Sequence, residues 1–397
     1  MDILYISRAC PQKKYDELKY KPSQAAVKFN RLVVEGLAYN GFNIHCAFID
    51  EKNLTVNCNK QILKYIDYNI KNITYYIKRN INNKFLKGII SCFNTVKLFN
   101  HILNKKDSVL ICDYLCLTNS LFALIISKFK KRKSIAIVTD LPDFLVGPTN
   151  KDKNKFKEKF YESVAYFVLN KFDYYVLLTE QMKEKLKKNI SNDKYIIMEG
   201  LIDINSIDLI NDIDKKDKIK KCIYAGSLHK EYGIDLLINA FHKLKLKDIS
   251  LHIYGDGNYK KEVEKICELD KRIKYFGQVS NEVILKEQIT ATLLINPRTS
   301  KGEFTKYSFP SKNMEYMASG TPLLGYVLPG MPNEYIEHIY TIDKENNINY
   351  LVKKLEEILC TDKYELHAKG QRAKKFVMEN KNNIIQTKKF LSLLNNN

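Results

Sequence analysis

The most specific pattern in the sequence is the segment Lys306–Tyr326, KYSFPSKNMEYMASGTPLLGY. It follows an apolar run that ends near Arg298 and opens a helix at Ser311, which we predict as the N-cap or a first-turn residue. Gly320 fits the left-handed position that ends a helix. A helix N-terminus with Lys312 in its first turn favours an anion such as a phosphate, although a capped surface helix with solvated charges shows the same pattern.

The segment Cys222–Phe241, CIYAGSLHKEYGIDLLINAF, has a second pattern that suits phosphate chemistry. An apolar strand runs directly into Gly226 and Ser227, and Lys230 precedes the next helix. Because glycine has no Cβ, the backbone there can approach a ligand closely, with Lys230 placed to reach a phosphate. A βα turn with a solvated lysine is the alternative, since the complete G-x-G-x-x-G pattern is absent.

Further candidates follow other apolar runs. Gly255 and Gly257 come after a predicted strand in HIYGDG, but a single G-x-G is also typical of a tight turn. In the first half, Asp140 and Asp143 in VTDLPDF follow one predicted strand, and Asp113 ends the strand before it. An aspartate before Leu-Pro is as often a turn former as a site residue, so both interpretations stay open.

These candidate residues need a scaffold, and the apolar pattern predicts one. Short apolar runs alternate with helical stretches, which is typical of parallel β-α-β units. The predicted strands are Asp2–Ser7, Phe42–Ile49, Ser108–Cys112, Ser134–Asp140, Tyr174–Thr179, Tyr195–Glu199, Cys222–Ser227, Ser250–Tyr254, Lys274–Phe276, Thr292–Asn296 and Pro322–Tyr326. Residues 53–104 are predicted as helices, 205–221 as a linker and 362–394 as helices only. Ligands of such sheets bind beyond the C-terminal strand ends, where the strand order reverses.

Length and composition exclude several classes of protein. At 397 residues with 45% apolar side chains, the chain exceeds one core, since single cores stop growing at about 250–300 residues. The 26 Tyr and 19 Phe exclude disorder. Nine scattered Cys without a Cys-x-x-Cys pair, and His without metal spacing, favour reduced thiols over a disulfide framework or a zinc site. The start MDILYISRAC predicts a strand and no signal peptide, and no uninterrupted apolar run predicts a membrane span, so we expect a cytoplasmic protein.

The net charge of +20 allows nucleic acid, an anionic membrane surface or a phosphorylated substrate. No nucleic-acid-binding signature appears, and acidic residues are dispersed among the basic ones, so we expect no nucleic-acid partner. Lys-rich segments lie at 128–133 and 151–167. In the second of them, Phe156, Phe160, Val164 and Phe167 recur at helical spacing beside lysines, which fits either a core-facing amphipathic helix or peripheral contact with the inner face of a membrane.

In order along the chain, these motifs resemble the family 4 glycosyltransferases of the GT-B fold. The resemblance rests on YAGSLHKEYGIDLLINAF, HIYGDG, YFGQV, LLINPR and FPSKNMEYMASGTPLL, with KPSQAAVKFNRLVVEGLAYNGF, VTDLPDF and DYYVLLTEQM in the first half. It implies two Rossmann-like domains with doubly wound parallel sheets that face a cleft. The first would be 1–204, the second, which binds the nucleotide-sugar, 205–381, and a helix at 382–395 would cross back to the first.

The resemblance also implies site residues. A nucleobase would lie near Gln278 and Val279, and the diphosphate near residues of the glycine-bearing loops, Arg298 and the Ser311 helix. Glu315 matches a glutamate that contacts the ribose, whereas the carboxylate eight positions earlier is replaced by Tyr307. The residues assigned to catalysis are Lys230, Arg298, Asp140 and Tyr307; those assigned to donor binding are Gly226, Ser227, Gly255, Gly257, Gln278, Val279, Ser311, Lys312 and Glu315.

The implied reaction is a retaining transfer of a hexosyl or related sugar from a nucleotide-sugar, with no metal and no bound cofactor. The acceptor would be a glycan or a lipid-diphosphate-linked glycan in bacterial capsule, exopolysaccharide or O-antigen assembly. A sugar-nucleotide epimerase of the same fold, a non-catalytic binding scaffold and a nucleic-acid-binding protein remain as alternatives.

Overall fold

The computed structural model describes residues 1–16, 24–48, 62–66, 70, 72–78, 95–144, 155–186, 190–205, 211–213, 219–344 and 347–395. The chain forms two compact units, with boundaries at 201/202 and 382/383. Unit 1 comprises Met1–Leu201 and Asn383–Asn397, and unit 2 comprises Ile202–Asn382. The boundaries expected from sequence, at 204/205 and 381/382, lie within three residues of these.

Unit 1 is built on an eight-stranded sheet in the order β3-β4-β2-β1-β5-β6-β7-β8. Its strands are β1 Asp2–Ser7, β2 Asn43–Phe48, β3 Ile62–Ile66, β4 Ile73–Lys78, β5 Ser108–Asp113, β6 Ser134–Val138, β7 Tyr174–Leu177 and β8 Tyr195–Ile197. Only β3 runs antiparallel to its neighbour, and the other strand pairs of this sheet are parallel. The strand order reverses between β1 and β5, which places the switch point there.

The prediction of helices across 53–104 is wrong for two of its segments, which form β3 and β4. The sequence ITYYIK of β4 alternates, with Ile73 and Tyr75 fully buried and Thr74 and Tyr76 half-buried. Such β-branched and aromatic residues suit a pleated sheet surface with one buried face. Residues 95–103 are helical as predicted, and the rest of the stretch lies outside the described residues apart from Ile70 and Asn72.

Unit 2 is built on a six-stranded parallel sheet in the order β11-β10-β9-β12-β13-β14. Its strands are β9 Lys220–Ala225, β10 Ile249–Tyr254, β11 Ile273–Tyr275, β12 Leu293–Asn296, β13 Leu323–Tyr326 and β14 Tyr340–Ile342. The three-residue β14 was not predicted, because so short a run carries no readable alternation. The order reverses between β9 and β12, so the residues that follow these two strands flank the switch point.

Helices connect the strands in both units. Besides the helical residues 95–103, they are α1 Gln12–Asp16, α2 Gln24–Tyr39, α3 Leu117–Phe129, α4 Lys155–Leu169, α5 Ile234–Lys243, α6 Lys260–Leu269, α7 Asn281–Thr290, α8 Ser311–Ala318, α9 Ile348–Cys360, α10 Lys363–Asn380, α11 Asn383–Lys388 and α12 Phe390–Asn395. No helix within the described ranges has the length and hydropathy that a membrane span requires.

The tail helices α11 and α12 belong to unit 1, which confirms that the C-terminal segment crosses back. Phe390, Leu393 and Leu394 are buried in the core of unit 1, whereas Ile385 is 42% exposed. Helix α11 packs so closely on α2 that a Cβ at Gly36 would lie 2.3 Å from the carbonyl oxygen of Asn383.

Candidate functional site

In unit 2, the sequence-predicted residues gather at the C-terminal edge of the sheet around the switch point. Gly226 and Ser227 directly follow β9, and Arg298 follows β12, its neighbour in the sheet. Helix α8 begins at Ser311, after the loop that leaves β12. A parallel sheet presents its ligand-binding edge here, because the loops that leave adjacent strands diverge and leave a crevice between them.

The loop after β9 is held by backbone hydrogen bonds to the loop after β10. The N–H of Gly226 donates to the carbonyl of Tyr254 at 3.0 Å, and that of Leu228 to Asp256 at 2.9 Å. The Tyr224 hydroxyl donates to the Ser227 carbonyl at 2.8 Å. The side chains of Ser227 and Lys230 are exposed, so both are accessible to a ligand at this edge.

Gly255 and Gly257 were predicted to contact a ligand, and the structure gives a packing reason for both. A Cβ at Gly255, whose φ is +135°, would lie 1.8 Å from the carbonyl oxygen of Gly226. One at Gly257 would lie 2.3 Å from that of Leu228. Only glycine allows this approach of two loop backbones. These two residues therefore shape the loop that carries Gly226 and Ser227.

Arg298 is positioned by aromatic residues that the sequence analysis did not single out. Its guanidinium lies 5.6 Å from the Tyr232 ring centroid and 5.2 Å from that of Phe304, and it donates to the Ser308 hydroxyl at 2.9 Å. Because Tyr232 ends the short 3-10 turn that Lys230 begins, the two cations lie on contacting segments. The sequence signal for this contact was weak: Tyr232 lies two positions after Lys230, and Phe304 lies six positions after Arg298.

Helix α8 is tied to both strands of the switch point. The Tyr316 hydroxyl accepts from the Ala225 N–H at 2.8 Å, at the end of β9, and Asn296 at the end of β12 donates to Asn313 at 2.6 Å. Burial raises the pKa of Tyr316 well above its usual value, so this hydroxyl stays neutral. Neither Tyr316 nor Asn313 was predicted, because nothing in the local sequence distinguishes these positions from others of the same helix.

The first turn of α8 carries three predicted residues. Pro310 occupies the N-cap position, so Ser311 is the first helical residue, and the N-cap interpretation of Ser311 is wrong. Lys312 Nζ lies 2.9 Å from Glu315 Oε2, and both side chains are partly exposed. Gly320, with φ of +74°, has the predicted left-handed conformation after the helix. The N-terminus of α8 thus presents N–H groups beside one lysine and one glutamate.

Tyr307 lies on the 3-10 helix Glu303–Tyr307, where its side chain is only 5% exposed. Its hydroxyl donates to Glu303 Oε1 at 3.4 Å. Tyr307 occupies the position at which the resemblance implies a carboxylate. The structure places the Glu303 carboxylate beside the Tyr307 hydroxyl.

Gln278 and Val279 follow β11, which is two strands away from β9 in the sheet. The Gln278 side chain is exposed, whereas Val279 packs partly against the core. The Gly277 carbonyl accepts from the Gly255 N–H at 2.9 Å, and Ser280 caps α7. A backbone chain of hydrogen bonds thus connects this loop with the loop of Gly226.

In unit 1, a buried polar network lies at the switch point between β1 and β5. Asp113 ends β5 and is 3% exposed. It accepts from Asn30 Nδ2 and from the Leu115 N–H, both at 3.1 Å, and Asn30 accepts from the Tyr5 hydroxyl at 2.7 Å. Burial raises the pKa of Asp113 to about 6, although these hydrogen bonds and the charge of Arg8 lower it.

Asp140 follows β6, one strand further from this switch point. Its side chain is exposed, and its carbonyl accepts a hydrogen bond from the buried Tyr114 hydroxyl. Asp143 lies on the turn Pro142–Phe144 and contacts Lys185 at 3.3 Å. Asp140 is therefore placed at the C-terminal edge where a site residue would be, and Asp143 is engaged by a lysine.

We expect the stability of the protein to fall as pH rises from about 4 to above 6, in part because of Asp113. Its pKa is about 6 in the folded state against an ordinary 3.8, so the folded protein binds this proton more tightly than the unfolded chain. The contribution of protonated Asp113 to the free energy of unfolding is fully present below about pH 4. As the pH rises above about 6, roughly 3 kcal/mol of it at most is lost. Urea unfolding of wild type and Asp113→Asn between pH 4 and 7 measures this, because the variant lacks the titration.

Asp107→Asn removes an exposed carboxylate of the same unit and serves as the control. If Asp113→Asn and Asp107→Asn change the pH dependence equally, Asp113 does not titrate as described.

Within the described ranges, no three or more His, Cys, Asp or Glu side chains are grouped so that they could hold a metal ion.

Comparisons with known proteins agree with the architecture. Residues 206–376, nearly all of unit 2, match the family model described as glycosyl transferases group 1. Over 277 residues, covering 67% of this chain and 69% of the relative, the sequence is 25% identical to an uncharacterized glycosyltransferase of Methanocaldococcus jannaschii.

Solved structures resemble the whole chain. Sucrose-phosphate synthase from Thermosynechococcus elongatus has a TM-score of 0.66 at 14% identity, covering 99% of this chain and 98% of its own. Anabaena HepE in complex with UDP-glucose has a TM-score of 0.65 at 14% identity, covering 99% of each chain. The lipopolysaccharide outer core galactosyltransferase WaaB has a TM-score of 0.62 at 16% identity, also with 99% of each chain covered. These likenesses confirm the GT-B fold. The chain thus has the GT-B fold, and residues 206–376 of its second unit are similar to the group 1 glycosyl transferases.

Proposed function

We propose that the protein transfers a hexosyl or related sugar, with retention of anomeric configuration and without a metal ion, from a nucleotide-sugar to a glycan or a lipid-diphosphate-linked glycan in bacterial surface polysaccharide assembly. The observation that carries the proposal is the gathering of Lys230, Arg298 and the α8 N-terminus at the switch point of unit 2. The names of two similar structures support the substrate classes: HepE was solved with UDP-glucose, and WaaB is a lipopolysaccharide galactosyltransferase.

The proposed donor site follows from charge. Breaking the bond between sugar and diphosphate leaves growing negative charge on the departing phosphate and positive charge on the sugar ring. Cations and N–H groups that are already in place stabilise this charge more in the transition state than in the bound substrate. Lys230, Arg298, Lys312 and the backbone N–H groups of the first turn of α8 supply them, and the exposed Ser227 lies on the loop that approaches the same edge.

The acceptor proton needs a destination. In the proposed mechanism the acceptor hydroxyl attacks from the side of the leaving group, and the departing phosphate oxygen takes its proton, so no protein base is required. Tyr307 and Glu303 then act together. The Tyr307 hydroxyl donates a hydrogen bond to the Glu303 carboxylate and so holds it where it can contact a hydroxyl of the sugar.

The proposal is tested by a thermal-shift screen with UDP-, GDP- and CMP-activated sugars, followed by mass spectrometry of products with glycan and lipid-linked acceptors. A donor at about 100 times its Kd adds about 2.7 kcal/mol of stability and a readable shift in Tm. Transfer of the sugar to an acceptor confirms the reaction. Release of nucleotide with an altered free sugar would instead support the epimerase, and no stabilisation by any donor would contradict the donor site.

We expect Glu315→Gln to raise the KM for the donor about 10-fold or more, because a carboxylate that accepts from ribose hydroxyls contributes about 1.5–3 kcal/mol. The same substitution breaks the 2.9 Å contact with Lys312. Glu379→Gln removes the carboxylate of another Lys–Glu contact of unit 2, Lys375–Glu379 on α10, and is the matched control: an equal effect of the two variants would contradict a ribose contact at Glu315. Steady-state kinetics at varied donor concentration separates the cases.

A further inference from the structure

Unit 1 exposes a cluster of large apolar side chains on two helices that contact each other, α3 and α4. Phe129 is 87% exposed at the end of α3, and Phe160 and Phe167 are 66% and 61% exposed on α4. Phe160 and Phe167 are seven residues apart and so lie on one face of the helix. Phe129 and Phe167, with Ile125, line an open apolar groove of about 640 Å³. Soluble proteins rarely expose so contiguous an apolar patch without a partner.

A strongly basic pocket of about 690 Å³ adjoins the apolar groove. The cations that line it are Lys128, Lys131, Arg132, Lys133, Lys171 and Lys194. Its one lining carboxylate, Asp173, is engaged by Lys128 and by the Ser134 hydroxyl. Lys128 and Lys171 line both the groove and the pocket, and Lys171 Nζ lies 5.0 Å from the Phe167 ring centroid. We call Ile125, Phe129, Phe160, Phe167 and these six cations the aromatic-lysine surface.

We infer that the aromatic-lysine surface docks on an anionic lipid bilayer. Apolar rings beside cations of one sign match the boundary between acyl chains and anionic headgroups, where long lysine stems reach the headgroups while the rings enter the apolar layer. The core of a protein interface, by contrast, is depleted in lysine. The inference specifies the acceptor of the proposed function further, as a lipid-linked one. The biological purpose of the docking therefore rests on that proposed function.

The position of the surface in the fold fits anchoring. Lys133 immediately precedes β6 and Asp173 immediately precedes β7, so the basic pocket lies at the N-terminal edge of the sheet. Asp113 and Asp140 lie at the C-terminal edge. Docking through the aromatic-lysine surface therefore leaves the C-terminal edge of unit 1 accessible. Of the segment 151–167, on which the sequence first suggested membrane contact, the side chains of 151–157 lie outside those that are described.

Vesicle sedimentation without donor or acceptor tests the inference, so its outcome is independent of the transfer reaction. Wild type is expected to bind phosphatidylcholine vesicles that contain phosphatidylglycerol, weakly at high salt, and to bind pure phosphatidylcholine far less. Phe129→Ser with Phe167→Ser should lower the partition coefficient about 10-fold or more. Leu269→Ser, which replaces an equally exposed residue of unit 2, should not change it.

A second set of variants tests the charge. Lys131→Gln, Lys171→Gln and Lys194→Gln together should weaken binding about fivefold for each lysine removed. The matched set in unit 2, Lys261→Gln, Lys265→Gln and Lys271→Gln, changes the net charge equally and should have little effect. Equal loss in both sets would assign binding to net charge and overturn the inference.

Two other results would also overturn it. One is vesicle binding by the phenylalanine variant equal to that of wild type, with both proteins folded by circular dichroism. The other is a wild-type dimer in sedimentation velocity that the phenylalanine variant dissociates, since the surface would then join two copies of the chain.

Discussion

Alanine at Lys230 or at Arg298 is expected to lower kcat/KM about 100-fold or more. Both cations lie at the C-terminal edge of unit 2, where the diphosphate leaving group gains charge. One preorganised donor to such developing charge contributes about 2.7–4 kcal/mol, or 100- to 1,000-fold in rate. Because the interaction strengthens in the transition state, kcat should fall even at saturating donor. Steady-state kinetics with purified donor and acceptor measures it.

The structure separates the two variants by their effect on folding. Lys230 is exposed, so Lys230→Ala should leave Tm unchanged. The Arg298 guanidinium lies within 6 Å of the Tyr232 and Phe304 ring centroids, at 5.6 and 5.2 Å, so Arg298→Ala should also lower Tm. Arg298→Lys keeps the charge but not the planar stacking, and should recover part of the activity. Lys274→Ala, an exposed lysine on β11, is the control. Full turnover by both alanine variants would exclude these cations from the reaction.

Gly255→Ala is expected to lower the free energy of unfolding by more than about 3 kcal/mol. A methyl group there would lie 1.8 Å from the Gly226 carbonyl oxygen, and the φ of +135° is strained for any L side chain. Strain of that kind costs about 1–3 kcal/mol by itself, and the clash adds to it. Since the clash displaces the loop after β9, donor affinity should fall as well.

Gly277→Ala is the matched control, because Gly277 also has a positive φ, of +69°, but a Cβ there would meet no atom within 4 Å. We expect it to cost only the strain of a left-handed residue, about 1–2 kcal/mol. Urea unfolding and donor titration of both variants measure the difference. Equal losses would show that backbone strain, and not the packing of the two loops, makes glycine necessary at 255.

The parallel α/β architecture and most strand positions were predictable from the sequence. Runs such as 109–112 and 293–295 are apolar throughout, because strands covered by helices on both faces bury successive side chains. The position of α8 was also readable, since Pro310 restricts the backbone before its first residue and Gly320 tolerates the left-handed conformation after its last turn. Where alternation was interspersed with Asn and Lys, as around β3 and β4, the local pattern did not decide between helix and strand.

Which residues meet in the folded chain was not predictable from the sequence. Strand order is set by packing between distant segments, so the adjacency of β9 and β12, and with it that of Lys230 and Arg298, has no local signal. The same holds for the glycines: HIYGDG shows that two are present, but the 1.8 Å approach of Gly255 to Gly226 depends on the pairing of β9 with β10. The exposure of Phe129 and Phe167 was equally hidden, because an apolar residue at helical spacing reads the same whether its face meets the core or the surface.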